Sequence, residues 1–181
     1  MEYEHVVHEF QPVYDASSVI LILGSLPSVK SRENRFYYGN PQNRFWSVIT
    51  ALVNRGLFRE KHAELPETIP EKTRLLLANG IAVWDVIASC DIRGSSDASI
   101  RNVVPAELGR IFDAAPIRAV FANGTAAGRL YDRYIGPQYG RGILVLPSTS
   151  PANAAWREEA LADAWEAKIR LQLSSNGQPS V

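Results

Sequence analysis

Val19-Ile20-Leu21-Ile22-Leu23-Gly24 is the stretch that decides the fold. Its β-branched and leucine residues leave no polar face, so it reads as a strand covered on both sides and stopped by Gly24. Working outward, Ile81 to Trp84, Arg118 to Ala122 and Ile143 to Leu146 are three further short apolar runs. Helix signals lie between them. Asn43 to Leu57 carries Phe45, Trp46, Ile49, Leu52 and Val53 at three- and four-residue spacing. Glu67 to Asn79 has Thr68 to Pro70 near its start and Asn79-Gly80 at its stop. Pro105 to Ala115 opens on a proline, and Thr125 to Tyr134 follows Asn123-Gly124. Pro151 to Leu173 sets Trp156, Ala160, Ala164, Ala167 and Leu171 on one stripe. Gly24 to Asn43 has no apolar period and reads as a long polar loop. The alternation predicts an α/β fold with a mainly parallel four-stranded sheet and right-handed crossovers.

Composition narrows the class. The chain has 181 residues, 46% hydrophobic and 21% charged, which is ordinary for one folded domain and argues against disorder. We expect that domain over residues 1–173, with 174–181 a disordered Ser/Gly/Pro tail. No apolar run approaches the roughly 20 residues needed to span a bilayer. Met1-Glu2-Tyr3-Glu4-His5 is acidic and does not resemble a secretory signal, so a cytoplasmic protein with no membrane partner is expected. Cys90 is the single cysteine, which excludes an internal disulfide, a Cys-rich zinc site and a four-cysteine cluster. His5 and His8 sit near the terminus without a third ligand in view, so no metal is expected, and no histidine lies near the motifs below. Basic and acidic residues balance at 19 each, so any polyanion site must come from local clustering.

In a parallel sheet, ligands bind at the carboxyl ends of the strands. That rule selects Gly24 to Asn43, Asp85 to Asn102, Asn123 to Thr125, and Pro147 to Asn153. Gly24-Ser25-Leu26-Pro27-Ser28 is a loop whose backbone can approach an anion or a flat base closely, with neither a P-loop nor a dinucleotide fingerprint, so no nucleotide cofactor is expected. Tyr37-Tyr38-Gly39-Asn40-Pro41-Gln42-Asn43-Arg44-Phe45-Trp46 packs aromatics and carboxamides just before a helix. Aromatics stack a base, while carboxamides bond its edge or orient a water. Asn43 also suits a helix N-cap, and Phe45 and Trp46 suit the core. Lys30, Arg32, Arg35 and Arg44 against Glu33 alone make a basic mouth.

These boxes, with Leu146-Pro147-Ser148-Thr149-Ser150-Pro151-Ala152, resemble the uracil-DNA glycosylase superfamily. The resemblance is strongest to its deoxyinosine (hypoxanthine-DNA) glycosylase branch and runs from about residue 17 to 170. It implies a three-layer α/β/α sandwich, and a repair enzyme that flips a deaminated base out of DNA and hydrolyses its N-glycosidic bond. Two departures matter. Leu26 occupies the place where most members hold a water-activating Asn or Asp, and the last box lacks the histidine of many uracil enzymes. The resemblance therefore moves the catalytic work to Asn40 or Asn43, leaves Tyr37 or Tyr38 to stack the base, and places Asp85 where a relative reads the base edge. A carboxylate there only accepts, so it suits the N1–H of hypoxanthine. Ser25 and Asn123 complete the expected base pocket. Ser28, Lys30, Arg101 and Ser148 to Ser150 are expected phosphate contacts, the last group at a helix N-terminus; Arg93 is a further candidate. The three boxes contain no lysine, so no Schiff base or lyase step is expected. The expected partner is DNA bearing deaminated bases, handled by a monomer, with an abasic-site endonuclease acting next. The alternatives are uracil or xanthine removal, or an inactive nucleic-acid-binding module, which Leu26 keeps open.

Overall fold

The computed structural model describes residues 2–94 and 96–175. In chain order it contains β1 (Glu4–Val7), β2 (Ile20–Gly24), α1 (Val29–Asn34), α2 (Phe45–Asn54), α3 (Ile69–Ala78), β3 (Ile81–Asp85) and β4 (Ile87–Ile92). After a single 3-10 turn at Asp97–Ser99 come β5 (Arg101–Pro105), α4 (Gly109–Ala114), β6 (Ala119–Asn123), α5 (Thr125–Tyr134), α6 (Gly136–Tyr139), β7 (Leu144–Leu146) and α7 (Glu158–Ser175). Four strands form a parallel sheet in the order β3-β2-β6-β7. The α/β sandwich expected from the alternation is the fold observed.

The central strand shows why it is apolar throughout. Ile20 and Ile22 join one core with Phe45, Ile49, Leu52, Leu76 and Trp165, which come from α2, α3 and α7. Leu21 and Leu23 point the other way, into a core with Ile111 and Tyr131 from α4 and α5. Period-two alternation thus divides one hydrophobic run between two layers. The register Gly24↔Asp85, with Asn123↔Leu146 further across, lines up the carboxyl ends of all four strands. At α3 the N-cap and its partner are Thr68 and Glu71, a reciprocal capping box, and Gly80 at φ +69° accommodates the turn beyond. No helix among the described residues is long and apolar enough to cross a membrane.

Several expectations are corrected. Much of Asp85 to Asn102, selected as a segment beyond a strand end, is itself strand: β1, β4 and β5 form a second, antiparallel sheet in the order β1-β4-β5. Pro105 ends β5 opposite Ile87 and starts no helix. A proline has no N–H to give to a ladder, and at an edge strand none is required. Val29–Asn34, read as loop, is α1, capped by Ser28. The last helix begins at Glu158, not Pro151. Its buried face is Leu161, Ala162, Trp165 and Ile169, whereas Trp156 (37% exposed) and Leu171 (63%) from the expected stripe lie outside the core. The helix continues through Ser174 and Ser175; residues 176–181, the rest of the expected tail, lie outside the described residues.

Gly128 in α5 offers a test of the packing. A Cβ built there would lie 2.6 Å from Val145 Cγ2 on β7. In an exposed helix Gly→Ala gains about 1 kcal/mol, but here a stiff β-branched side chain on a strand must move. We expect Gly128→Ala to lower the urea midpoint. Val145→Ala in that background should recover stability beyond additivity, measured as a double-mutant cycle. A midpoint that rises in Gly128→Ala alone contradicts this packing.

Candidate active site

At the carboxyl edge of the parallel sheet the chain encloses a cleft of about 470 Å³. Its wall is built from the ends of β2, β3 and β6 and from the segment that follows β7. Three carboxamides or hydroxyls tie it together. Thr149 is fully buried. Its Oγ1 donates to Asn43 Oδ1 at 2.8 Å and accepts from Asn123 Nδ2 at 2.9 Å, while its backbone N–H donates to Asn123 Oδ1 at 3.0 Å. Asn43 Oδ1 also accepts the N–H of Phe45 at 2.9 Å. Both lone pairs of the Asn43 carbonyl are thereby filled, and its amide N–H groups face the cleft as donors only. Asn40 differs. Its Oδ1 accepts only the backbone N–H of Gln42, at 3.0 Å, so it retains acceptor capacity.

Arg44 lies behind this network. It donates from Nε to the carbonyl of Thr149 at 3.3 Å, and from Nη2 to those of Ser150 at 2.7 Å and Asn153 at 3.1 Å. From Nη1 it also reaches the carbonyl of Trp156. The chain from Pro151 to Arg157 is not helical, and three of the carbonyls in and just before it are bonded by Arg44.

The floor holds a buried pair. Asp85 Oδ2 and His8 Nε2 are 2.8 Å apart, with side-chain exposures of 6% and 2%. Gly24 is required beside them, because a Cβ there would collide with Asp85 Oδ1. Tyr37 is buried in the core and donates its hydroxyl to the carbonyl of Gln11 at 2.7 Å. Tyr38 sits at φ +52° and stacks on Phe45 with ring centroids 3.8 Å apart. Its hydroxyl is buried without a hydrogen-bond partner among the described residues. Burial first, and the Asp85 carboxylate second, hold both phenols well above the usual tyrosine range, so both remain protonated.

Of the residues selected from sequence, the cleft gathers Ser25, Ser28, Tyr37, Tyr38, Asn40, Asn43, Asp85, Asn123, Ser148, Thr149 and Ser150. Lys30 and Arg101 stand apart. Lys30 pairs with Glu33 at 2.9 Å, and Arg101 covers the ring of Tyr3 at 3.3 Å, as Arg93 does at 4.2 Å. The basic mouth is mostly compensated: Arg32 faces Glu4, Arg35 faces Glu9, and Arg44 is committed to carbonyls. The hydroxyl and N–H of Thr149 are occupied, and Ser148 to Ser150 do not cap a helix, so the dipole argument for a phosphate there fails. Sequence reasoning missed His8, which arrives from the N-terminal segment with no local pattern to mark it. It also missed the reason for Leu26. That side chain packs on the small sheet's apolar cluster of Val6, Ile87, Cys90 and Ile92.

Comparison with known proteins shows the family and the fold. The family model described as the uracil DNA glycosylase superfamily matches residues 11–170. A hypoxanthine DNA glycosylase of Methanosarcina acetivorans is 32% identical over 162 residues, covering 89% of this chain and 96% of its own. A second, from Methanosarcina barkeri, is 33% identical over 122 residues, covering 66% and 72%. The solution structure of a candidate uracil DNA glycosylase from Methanosarcina acetivorans is similar at a TM-score of 0.72 and 32% identity, covering 91% of this chain and 96% of that one.

Thr149 makes the network testable. Thr149→Val keeps the shape but removes the group that satisfies both Asn43 and Asn123, and we expect a loss of about 1–3 kcal/mol in chemical denaturation. Thr149→Ser should lose under about 1 kcal/mol, since only a methyl goes. Equal stability of the two variants would show that the hydroxyl carries no such bonds.

Proposed function

The chain belongs to the uracil DNA glycosylase superfamily, and from that premise we propose that it excises hypoxanthine from DNA as a monofunctional glycosylase. The observation that carries this reading is the division of valences around one cleft: Asn43 offers donors, Asn40 keeps an acceptor, and Asp85 is a buried acceptor at the floor. A flipped deoxyinosine then stacks against Tyr38, which lines the cleft and is braced by Phe45. Tyr37 supports the wall from within the core, which is the part its burial suits.

The reaction breaks the bond between C1′ and the base nitrogen, leaving positive charge on the sugar and negative charge on the departing base. A nucleophilic water needs an acceptor to orient it, and Asn40 Oδ1 is the carboxamide oxygen with capacity left. Asn43 Nδ2 donates to the leaving base, its direction set by Thr149 and by the N–H of Phe45. Asp85 accepts the N1–H of hypoxanthine. Leu26 supports this allocation, because it belongs to the packing of the small sheet and holds no water itself. The relatives named for hypoxanthine favour inosine over uracil or xanthine as the substrate. We further propose that one domain acts as a monomer in the cytoplasm, with an abasic-site endonuclease taking its product.

Duplexes containing inosine, uracil or xanthine, cleaved with alkali after incubation, test the activity. Inosine should give the most product, and absence of product from all three overturns the reading in favour of a binding module. For the residues, Asn40→Ala should slow single-turnover excision by about 30- to 1000-fold, the cost of roughly 2–4 kcal/mol in the barrier, with the denaturation midpoint unchanged. Asn43→Ala should slow it comparably and also cost about 1 kcal/mol of stability, because its carbonyl holds the start of α2. If both variants retain near-wild-type rates, the water and the base are held by other groups.

A further inference from the structure

His8 stands behind the floor of the site, against Asp85, yet has no part in the reaction just described. It follows β1, and its backbone N–H donates to the carbonyl of Ala88 at 2.8 Å, so the small sheet fixes its position. The ring packs against Phe10 at 4.3 Å and Tyr37 at 5.9 Å between centroids. Nε2 meets Asp85 Oδ2, while Nδ1 is buried with no hydrogen-bond partner among the described residues.

That orphaned nitrogen decides where the proton is. The pair has three arrangements. An imidazolium beside a carboxylate carries N–H on both ring nitrogens. A neutral Asp85 donating to Nε2 leaves the ring proton on Nδ1. Both therefore bury an N–H with nothing to receive it, which is the rarer and costlier form of unsatisfied group. Only a neutral His8 protonated at Nε2, donating to an ionised Asp85, leaves a bare lone pair at Nδ1. Oδ2 is then taken by His8. Oδ1 lies along the bare Cα of Gly24, where a side chain would push it aside.

We propose that His8 is the positioning residue that sets base specificity: by donating from Nε2 it keeps Asp85 an unprotonated acceptor facing the cleft. The ligand class this selects is a base with a ring N–H on the edge that Asp85 meets, as in the lactam form produced by deamination. A base presenting a lone pair there, as an unmodified adenine does, faces acceptor against acceptor and is turned away. Without the His8 donor, Asp85 Oδ2 loses its partner and the carboxylate its fixed direction, and the selection is lost. This rests on the glycosylase reading of the cleft.

Two experiments separate the inference from that reading. Imidazole 15N NMR of the wild-type protein at neutral pH needs no substrate, and His8 should be neutral with its proton on Nε2. A proton on Nδ1 overturns the proposal. The second compares single-turnover excision of hypoxanthine and of unsubstituted purine, which has a lone pair at N1, in one duplex context. His8→Leu should lose roughly 10- to 100-fold on hypoxanthine and little on purine, and His8→Gln, whose amide supplies a donor, should recover most of the loss. Equal losses on both substrates, or a His8→Gln as impaired as His8→Leu, overturn it as merely structural. Should His8→Leu not fold, His8→Gln and the tautomer measurement still decide. A wild-type protein that releases no hypoxanthine refutes the hypoxanthine reading of the cleft, while the NMR result stands on its own.

Discussion

Arg44 draws together the pieces on which the cleft depends. Its guanidinium gathers the carbonyls of Thr149, Ser150, Asn153 and Trp156 from a stretch more than a hundred residues away. A planar fork with five donors suits this task, and a lysine, with its compact ammonium on a flexible stem, would not reproduce it. The consequence is geometric. The chain after β7 is held as a loop, Thr149 is buried against α2, and the hydroxyl of Thr149 arrives where Asn43 and Asn123 both need it. Without that loop, neither asparagine would have a fixed direction, and the cleft would lose one wall.

A second constraint follows from counting lone pairs. Two asparagines three positions apart look equivalent as sequence, but their carbonyls are differently occupied, so one is a donor and the other remains an acceptor. The tyrosines divide in the same way. Tyr37 is committed to the core through Gln11, whereas Tyr38 stays at the cleft in a left-handed conformation with its hydroxyl unpaired. Neighbouring residues thus acquire different chemistry from partners that lie far away along the chain.

The antiparallel sheet supplies what the parallel sheet lacks. It places His8 beside Asp85 and gives Leu26 an apolar surface to pack on. These two facts belong together. Leu26 on the first loop is part of a hydrophobic contact, and a buried polar pair stands at the end of β3.

By itself the sequence determined the parallel sheet and the segments that carry the site. A continuous apolar run from Val19 to Leu23 is stable only when covered on both faces, and alternation with helices leaves the carboxyl ends of Gly24, Asp85 and Asn123 as the open edge. The start of α3 near Thr68 was legible because its signals are local, while the reciprocal bonds of Thr68 and Glu71 came only with the structure. The small sheet was not legible, because Ile87 to Ile92 and Arg101 to Pro105 are short, polar-mixed strands that pair with each other, and only the first of them also with the distant Glu4 to Val7. The start of the last helix was misread because the turns before it are tied to Arg44 across more than a hundred residues, a contact no local pattern reports. His8 joins the site across 77 residues of chain. Spacing and composition report on neighbours within a few residues, so which asparagine accepts, which tyrosine faces the cleft and which histidine meets Asp85 were settled by tertiary packing alone.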